Sequence, residues 1–85
     1  MIKIYSTNWW GPCNAAKNML DDMGMSYENI DIEKENISRD DLAKITGGYT
    51  VPQIVINEKS IGGFNELIQL NNSGELTALL KDDWL

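Results

Sequence analysis

The chain has 85 residues, of which 42% are hydrophobic and 24% are charged, and its net charge is −6 at pH 7. This length fits one small domain, and we expect residues 1–85 to form it. The acidic excess argues against nucleic-acid binding, which needs clustered Lys and Arg. No apolar run approaches the roughly 18 residues of a membrane span, and the N-terminus lacks a signal-peptide layout. The sequence therefore predicts a cytoplasmic protein without a membrane partner, and we expect a monomer.

Cysteine and histidine usage limits the available chemistry. Cys13 is the only cysteine, and histidine is absent. One cysteine cannot form an internal disulfide, and a Cys/His zinc site or a Cys–His nucleophile pair is excluded within one chain. Chemistry must run through one thiol, through carboxylates or through a bound partner, and we expect neither a metal nor a tightly bound cofactor.

The first third of the chain has the pattern of a βαβ unit. Ile2–Ser6 is rich in β-branched residues and predicts a strand. Apolar residues recur at helical spacing from Cys13 to Met23, with Pro12 suited to the first turn and Gly24 to the end. The segment from Ser26 to Ile32 alternates and predicts a second strand. The intervening helix makes the two strands parallel.

The middle of the chain predicts a short helix followed by a hairpin. Ser38 and Asp41 form a capping-box pattern, with Asp in place of the usual Glu, which opens a helix through Ile45. Gln53–Asn57 predicts a third strand, and Ser60–Ile61 begins a fourth after a short turn. Strands so close in sequence must be antiparallel.

The last part of the chain predicts two helices, Phe64–Leu70 and Glu75–Lys81, separated by residues 71–74. The element order is then β-α-β-α-β-β-α with a further terminal helix. This order predicts an α/β fold in which helices flank a mixed four-stranded sheet.

Three short segments together carry a family resemblance. A strand ending in Tyr5-Ser6 is followed by Trp-Trp-Gly-Pro-Cys at residues 9–13. Thr50-Val51-Pro52 and Gly-Gly-Phe-Asn-Glu-Leu at residues 62–67 follow in order. These segments resemble the active-site, Thr-Val-Pro and Gly-Gly-Phe-Asp-Glu-Leu segments of the glutaredoxin family of the thioredoxin superfamily. The resemblance implies a thioredoxin-like fold of glutaredoxin type.

The resemblance also implies a thiol–disulfide oxidoreductase, an electron carrier that uses glutathione or a reductase. Its targets would be protein disulfides, including that of ribonucleotide reductase, with glutathione as co-substrate. The family motif is Cys-x-x-Cys. Here Cys13 matches its second, resolving cysteine, and Trp10 stands where the first, attacking cysteine is expected. We therefore treat Cys13 and Trp10 as the catalytic positions.

Trp10 puts the activity of this chain in question, because disulfide exchange begins with attack by a thiolate and an indole is not a nucleophile. One outcome is impaired exchange through Cys13, which would depend on an external thiol. The alternative is a non-catalytic module of the same fold that binds glutathione or a peptide. Iron–sulfur ligation across a dimer is disfavoured, because in the family it uses the first cysteine.

The two adjacent tryptophans, Trp9 and Trp10, cannot easily both be core and predict a contact surface.

The resemblance further implies a glutathione groove. A cis bond before Pro52 would leave the Val51 main chain free for the cysteinyl part, although Pro52 could instead simply begin an edge strand. Free N–H groups near Gly63 would hold the γ-glutamyl carboxylate, although the glycines could serve only a tight turn. Thr7 stands where the family places a lysine, and Arg39 lies near a basic family position. The candidate glutathione-binding residues are Tyr5, Thr7, Arg39, Thr50, Val51, Pro52, Gly63, Phe64 and Asn65.

Overall fold

The structure is a computed structural model that describes residues 1–81, with side chains described for residues 1–78. The elements, in chain order, are β1 (Ile2–Ser6), α1 (Gly11–Asp22), β2 (Glu28–Asp31), α2 (Arg39–Thr46), β3 (Gln53–Ile56), β4 (Lys59–Gly62), α3 (Phe64–Ser73) and α4 (Glu75–Lys81). The predicted order of elements is confirmed.

The four strands form one mixed sheet in the order β2-β1-β3-β4. Strand β1 pairs in parallel with β2, as the βαβ pattern predicts, and antiparallel with β3. Tyr5 lies opposite Ile30 on one side and Gln53 on the other. The end of β1 and the beginning of β3 therefore lie at the same edge, which brings the segment after β1 close to the segment before β3.

Helix α1 begins at Gly11, two residues before the predicted start at Cys13. The predicted start lies too far along the chain, because Gly11 and Pro12 contribute nothing to the apolar periodicity. Pro12 does fit the first turn of the helix. The helix ends at Asp22, one residue before the predicted end at Met23, and the predicted stop at Gly24 follows. Gly24 has φ 72°, and its N–H donates to Asp21 O at 3.0 Å. This left-handed glycine closes the helix.

Helix α2 begins with the predicted capping box. The Asp41 N–H donates to Ser38 Oγ at 3.0 Å, and the Ser38 N–H donates to Asp41 Oδ2 at 3.4 Å. These bonds satisfy donors that a helix start leaves unpaired, and caps of this kind contribute about 1 kcal/mol. The helix ends at Gly47, which has φ 87°. Arg39 is the first residue of this capped helix.

Other element bounds differ from the sequence predictions. Strand β2 is shorter than predicted at both ends, covering Glu28–Asp31. Strand β3 ends at Ile56 and β4 already begins at Lys59, because the intervening residues 57 and 58 both have positive φ and form a two-residue turn. Helix α3 continues to Ser73 because the left-handed stop is Gly74, with φ 83°.

Two clusters of buried side chains lie on the sheet. In the first cluster, β1 and β3 contribute isoleucines, and α1, α3 and α4 contribute small or branched apolar side chains. Its buried members are Ile2, Ile4, Ala16, Leu20, Ile54, Ile56, Leu67 and Leu76. The second cluster contains Tyr5, Cys13, Ile32, Leu42 and Val51. The second cluster connects the start of α1 to α2 and to the segment before β3.

Within residues 1–81, no helix is long and apolar enough to cross a bilayer.

Candidate active site

The start of α1 places Trp10 and Cys13 in very different surroundings. Trp10 is the N-cap, with extended backbone (φ −88°, ψ 127°), and its carbonyl accepts the Asn14 N–H at 3.1 Å. Its indole is 44% exposed. Cys13 lies one turn into the helix and is 0% exposed. The position expected to carry the attacking thiol therefore faces outward and holds an indole, whereas the sulfur faces inward.

Cys13 belongs to the second buried cluster, where it packs with Tyr5, Ile32, Leu42 and Val51. Its thiol is free rather than part of a disulfide. Reactive cysteines are at least partly exposed, because their thiolates must meet a substrate. In this conformation Cys13 behaves as a small apolar core residue that happens to carry a sulfur.

The two adjacent tryptophans form an ordered pair at the surface. Their ring centroids are 6.0 Å apart with an interplanar angle of 69°, an edge-to-face arrangement. The Trp9 Nε1–H donates to Glu33 Oε1 at 2.8 Å, although Trp9 is 62% exposed. As predicted, the two tryptophans are not both part of the core; both are in fact exposed.

A groove of about 450 Å³ begins at this pair, within the roughly 300–1,000 Å³ range of small-molecule sites. Its lining residues are Trp9, Trp10, Arg39, Tyr49, Thr50 and Val51. The start of α1, the start of α2 and the segment before β3 thus meet around one depression. Four of the predicted site residues, Trp10, Arg39, Thr50 and Val51, are brought together here. Tyr49 was not predicted.

Arg39 supplies the positive charge of the groove. Its Nη1 donates to the Tyr49 carbonyl at 3.2 Å, and its side chain remains exposed. A guanidinium has five N–H donors, so others remain for a carboxylate. Lys44, on the same helix, is exposed and is not among the groove residues.

The Val51–Pro52 bond is cis, as predicted from the Thr-Val-Pro segment. The Thr50 hydroxyl accepts a hydrogen bond from Gln53 Nε2 at 3.4 Å, while Val51 and Pro52 are buried. Within residues 1–81, the Val51 main chain makes no hydrogen bond. An unpaired main-chain donor and acceptor beside a groove can pair with an extended peptide.

Gly63 lies next to Pro52, since a Cβ built on Gly63 would come within 3.3 Å of the Pro52 carbonyl oxygen. The Gly63 N–H, one of the predicted carboxylate donors, donates to Glu66 Oε1 at 3.3 Å. Phe64 is half-buried against the first cluster, and Asn65 is exposed. These three residues do not line the 450 Å³ groove.

Tyr5 and Thr7 do not line the groove. Tyr5 packs beside Cys13 in the second cluster, and Thr7 is 1% exposed. The Thr7 Oγ1 is buried and has no hydrogen-bond partner among the described residues. Thr7 therefore does not present its hydroxyl to solvent, where the family lysine of the resemblance would act.

Sequence reasoning missed three contributors. Glu33 and Tyr49 act through contacts over 24 and 10 residues of sequence separation, which no local pattern reveals. The role of Glu66 could have been predicted from the sequence, because Glu66 follows Gly63 by three residues, which is the spacing of a capping box. In residues 1–81 no group of three or more Cys, Asp or Glu side chains could hold a metal ion.

Comparisons with known proteins identify the family of the chain. The glutaredoxin family model matches residues 2–61. A glutaredoxin of Pseudomonas aeruginosa is 38% identical over 79 residues, which is 93% of this chain and 94% of the relative. Glutaredoxin 3 of Escherichia coli is 35% identical over 80 residues, covering 94% of this chain and 96% of the relative.

Solved structures give the same answer. Glutaredoxin C1 from Populus tremula x tremuloides, in its holo form, aligns with a TM-score of 0.86 at 32% identity, covering 95% of this chain and 83% of that one. A buckwheat glutaredoxin–glutathione complex aligns with a TM-score of 0.85 at 27% identity, covering 95% and 76%. The family match and the fold thus define a thioredoxin-like protein of the thiol–disulfide oxidoreductase class. The chain belongs to the glutaredoxin family.

Proposed function

We propose that this chain is a glutathione-linked thiol–disulfide oxidoreductase of glutaredoxin type, with strongly impaired exchange. The observation that carries the proposal is the contrast at the start of α1. The groove-lining position of the attacking cysteine holds Trp10, and the remaining sulfur, at Cys13, is 0% exposed. The groove beside Trp10 is also lined by Arg39, Thr50 and Val51, three of the predicted binding residues.

Glutathione suits the charges and main-chain groups of this groove. It carries two carboxylates and a peptide-like cysteinyl unit. The Arg39 guanidinium would bind one carboxylate, and a charge-assisted hydrogen bond of this kind is worth about 1.5–3 kcal/mol. The Val51 main chain, which has no partner in residues 1–81, would pair with the cysteinyl unit. The buckwheat relative, crystallised as a glutathione complex, supports this proposal.

Residual exchange would have to use Cys13. Its thiolate would attack the glutathione sulfur of a protein–glutathione mixed disulfide, form a disulfide between Cys13 and glutathione, and release the protein thiolate. A free glutathione thiolate would then attack that disulfide, regenerate the Cys13 thiolate and release glutathione disulfide. Each turnover requires the first turn of α1 to open, because Cys13 is buried, and exchange is therefore slow. Protein disulfides, including that of ribonucleotide reductase, are the proposed physiological substrates.

A second function, glutathione or peptide binding without turnover, is favoured by the same burial of Cys13. The two functions differ in whether the sulfur matters. Binding alone must survive Cys13→Ser unchanged, whereas slow exchange must be abolished by it.

The deciding experiment restores the missing thiol. Trp10→Cys places a cysteine at the N-cap of α1, where the helix start favours a thiolate, and glutathione-dependent reduction of a small mixed disulfide should rise on the order of a hundredfold or more. Trp10→Ser is the matched control, since it removes the indole without adding a nucleophile. A folded Trp10→Cys variant no more active than Trp10→Ser would refute the assignment of the active site.

A further inference from the structure

We propose that the preferred ligand of the groove is a glutathione thioether with an apolar S-substituent, rather than free glutathione. The inference rests on the proposed glutathione site and names the ligand class that Trp10 selects. It needs no covalent step, because the C–S bond of a thioether stays intact throughout.

Trp10, rather than a thiol, decides what a bound sulfur would meet. The groove is lined by Trp10 and not by Cys13, which is fully buried in the second cluster. A ligand sulfur directed toward the position of the missing nucleophile would therefore face an indole. An indole cannot exchange with a thiol, so a free thiol gains no partner there, whereas an apolar group on the sulfur gains a surface to pack against.

The ring of Trp10 is held in place before a ligand binds. Trp10 is 44% exposed, so part of its ring already lies against the protein and part remains available. Trp9 packs edge-to-face on Trp10 and is itself fixed by the hydrogen bond to Glu33. A ring held in one orientation costs less to immobilise when a ligand binds than a mobile one does.

The groove combines one charged side chain with three aromatic ones. Arg39 gives it a cationic contact, while Trp9, Trp10 and Tyr49 give it aromatic walls, with Tyr49 63% exposed. This combination fits a ligand that carries both a carboxylate and an apolar group. Free glutathione offers carboxylates but no apolar group, whereas a benzyl or hexyl thioether of glutathione offers both.

The experiment is a calorimetric titration of the folded chain with three ligands: glutathione, S-methylglutathione and S-benzylglutathione. We expect S-benzylglutathione to bind about tenfold more tightly than the other two, a difference of about 1.4 kcal/mol. The measured quantity is the ratio of the glutathione and S-benzylglutathione dissociation constants, which cancels any general change in affinity.

Variants of Trp10 and of Ile45 test whether the Trp10 indole causes the preference for S-benzylglutathione. In Trp10→Ala the ratio should fall to about one, and Trp10→Leu, which keeps an apolar side chain, provides a second test if the alanine variant folds poorly. Ile45→Ala is the matched control, because Ile45 is also an exposed apolar residue but lies outside the groove. It should keep the wild-type ratio.

The outcomes separate this inference from the proposed function. If glutathione binds and S-benzylglutathione binds no more tightly, the inference is wrong and the glutathione site stands. If neither ligand binds, the glutathione site itself is wrong, and the inference fails with it. If the ratio survives removal of the indole, Trp10 is not the selecting residue, and the inference is again overturned.

Discussion

The groove has two sides, built from different parts of the chain. On the α1 side, Trp10 occupies the position of the attacking cysteine and Cys13 is buried. On the opposite side, the cis Val51–Pro52 bond and Arg39 match the expected pattern, and the Val51 main chain has no partner in residues 1–81. The comparison teaches that the groove is lined from both sides, whereas the remaining sulfur lies outside it. The nucleophile can therefore be lost from α1 while Arg39 and Val51 still line the groove.

The largest expected effect concerns the α1 side of the groove, where Cys13 should be as inaccessible to reagents as its burial indicates. Reaction with iodoacetamide requires the thiol to reach solvent, so the folded chain should react at least about 100-fold more slowly than the urea-unfolded chain. Mass spectrometry over time gives both rates. In the Trp10→Cys variant one thiol should react quickly and the other slowly. Equal rates for the folded and unfolded wild-type chain would contradict the burial of Cys13.

A second test asks what Cys13 contributes to stability. Cys13→Ser places a hydroxyl among Tyr5, Ile32, Leu42 and Val51, and an unpaired buried hydroxyl should lower the free energy of unfolding by about 1–3 kcal/mol. Urea denaturation measures the loss. Cys13→Ala, which leaves a small space but adds no polar group, is the control and should cost less than Cys13→Ser. Identical stabilities for wild type and Cys13→Ser would mean that the sulfur lies at the surface.

A third test sharpens the role of the opposite side. Ser38→Ala removes the cap that begins α2, and should lower stability by about 1 kcal/mol. Because Arg39 is the next residue, loosening this turn should also weaken glutathione binding, measured by calorimetry. Asn36, which lies before the helix outside the capping box, offers an Asn36→Gly control. An unchanged glutathione affinity in a destabilised Ser38→Ala variant would remove Arg39 from the site.

The smallest expected effect is a gain in the stability of the fold. Thr7→Val replaces a buried hydroxyl that has no partner in the described chain with a methyl group of similar size. We expect stability to rise by up to about 1 kcal/mol, because the hydroxyl is desolvated without compensation. Thermal unfolding of the variant measures this gain, and calorimetry should show unchanged glutathione affinity. A loss of affinity would place Thr7 in the binding site after all.

The sequence was sufficient for much of the fold. The alternation in β1, the helical spacing in α1 and the Ser38–Asp41 capping box are local patterns, and each predicted an element that the structure contains. The errors were at element ends, where positive-φ residues such as Asn57 and Gly74 decide the boundary rather than apolar spacing. The cis bond before Pro52 was predicted from the family resemblance rather than from local pattern.

The site was less predictable than the fold. Trp10, Arg39 and Val51 were predicted and do line one groove, whereas Tyr5 and Thr7 do not line it. The burial of Cys13 depends on Leu42 and Val51, which are distant in sequence and reach it only through the sheet and α2. The Trp9–Glu33 hydrogen bond likewise joins two loops that become neighbours only after folding. Such contacts depend on tertiary structure, and no local spacing encodes them.

The outward-facing N-cap position of Trp10 also has a genetic consequence. Tryptophan and cysteine codons differ only in their third base, so one point mutation can interconvert the two residues. Because the indole is not part of either buried cluster, such a mutation would need no second change to keep the protein folded. Gain and loss of the nucleophile are thus separated by a single step that selection can take in either direction.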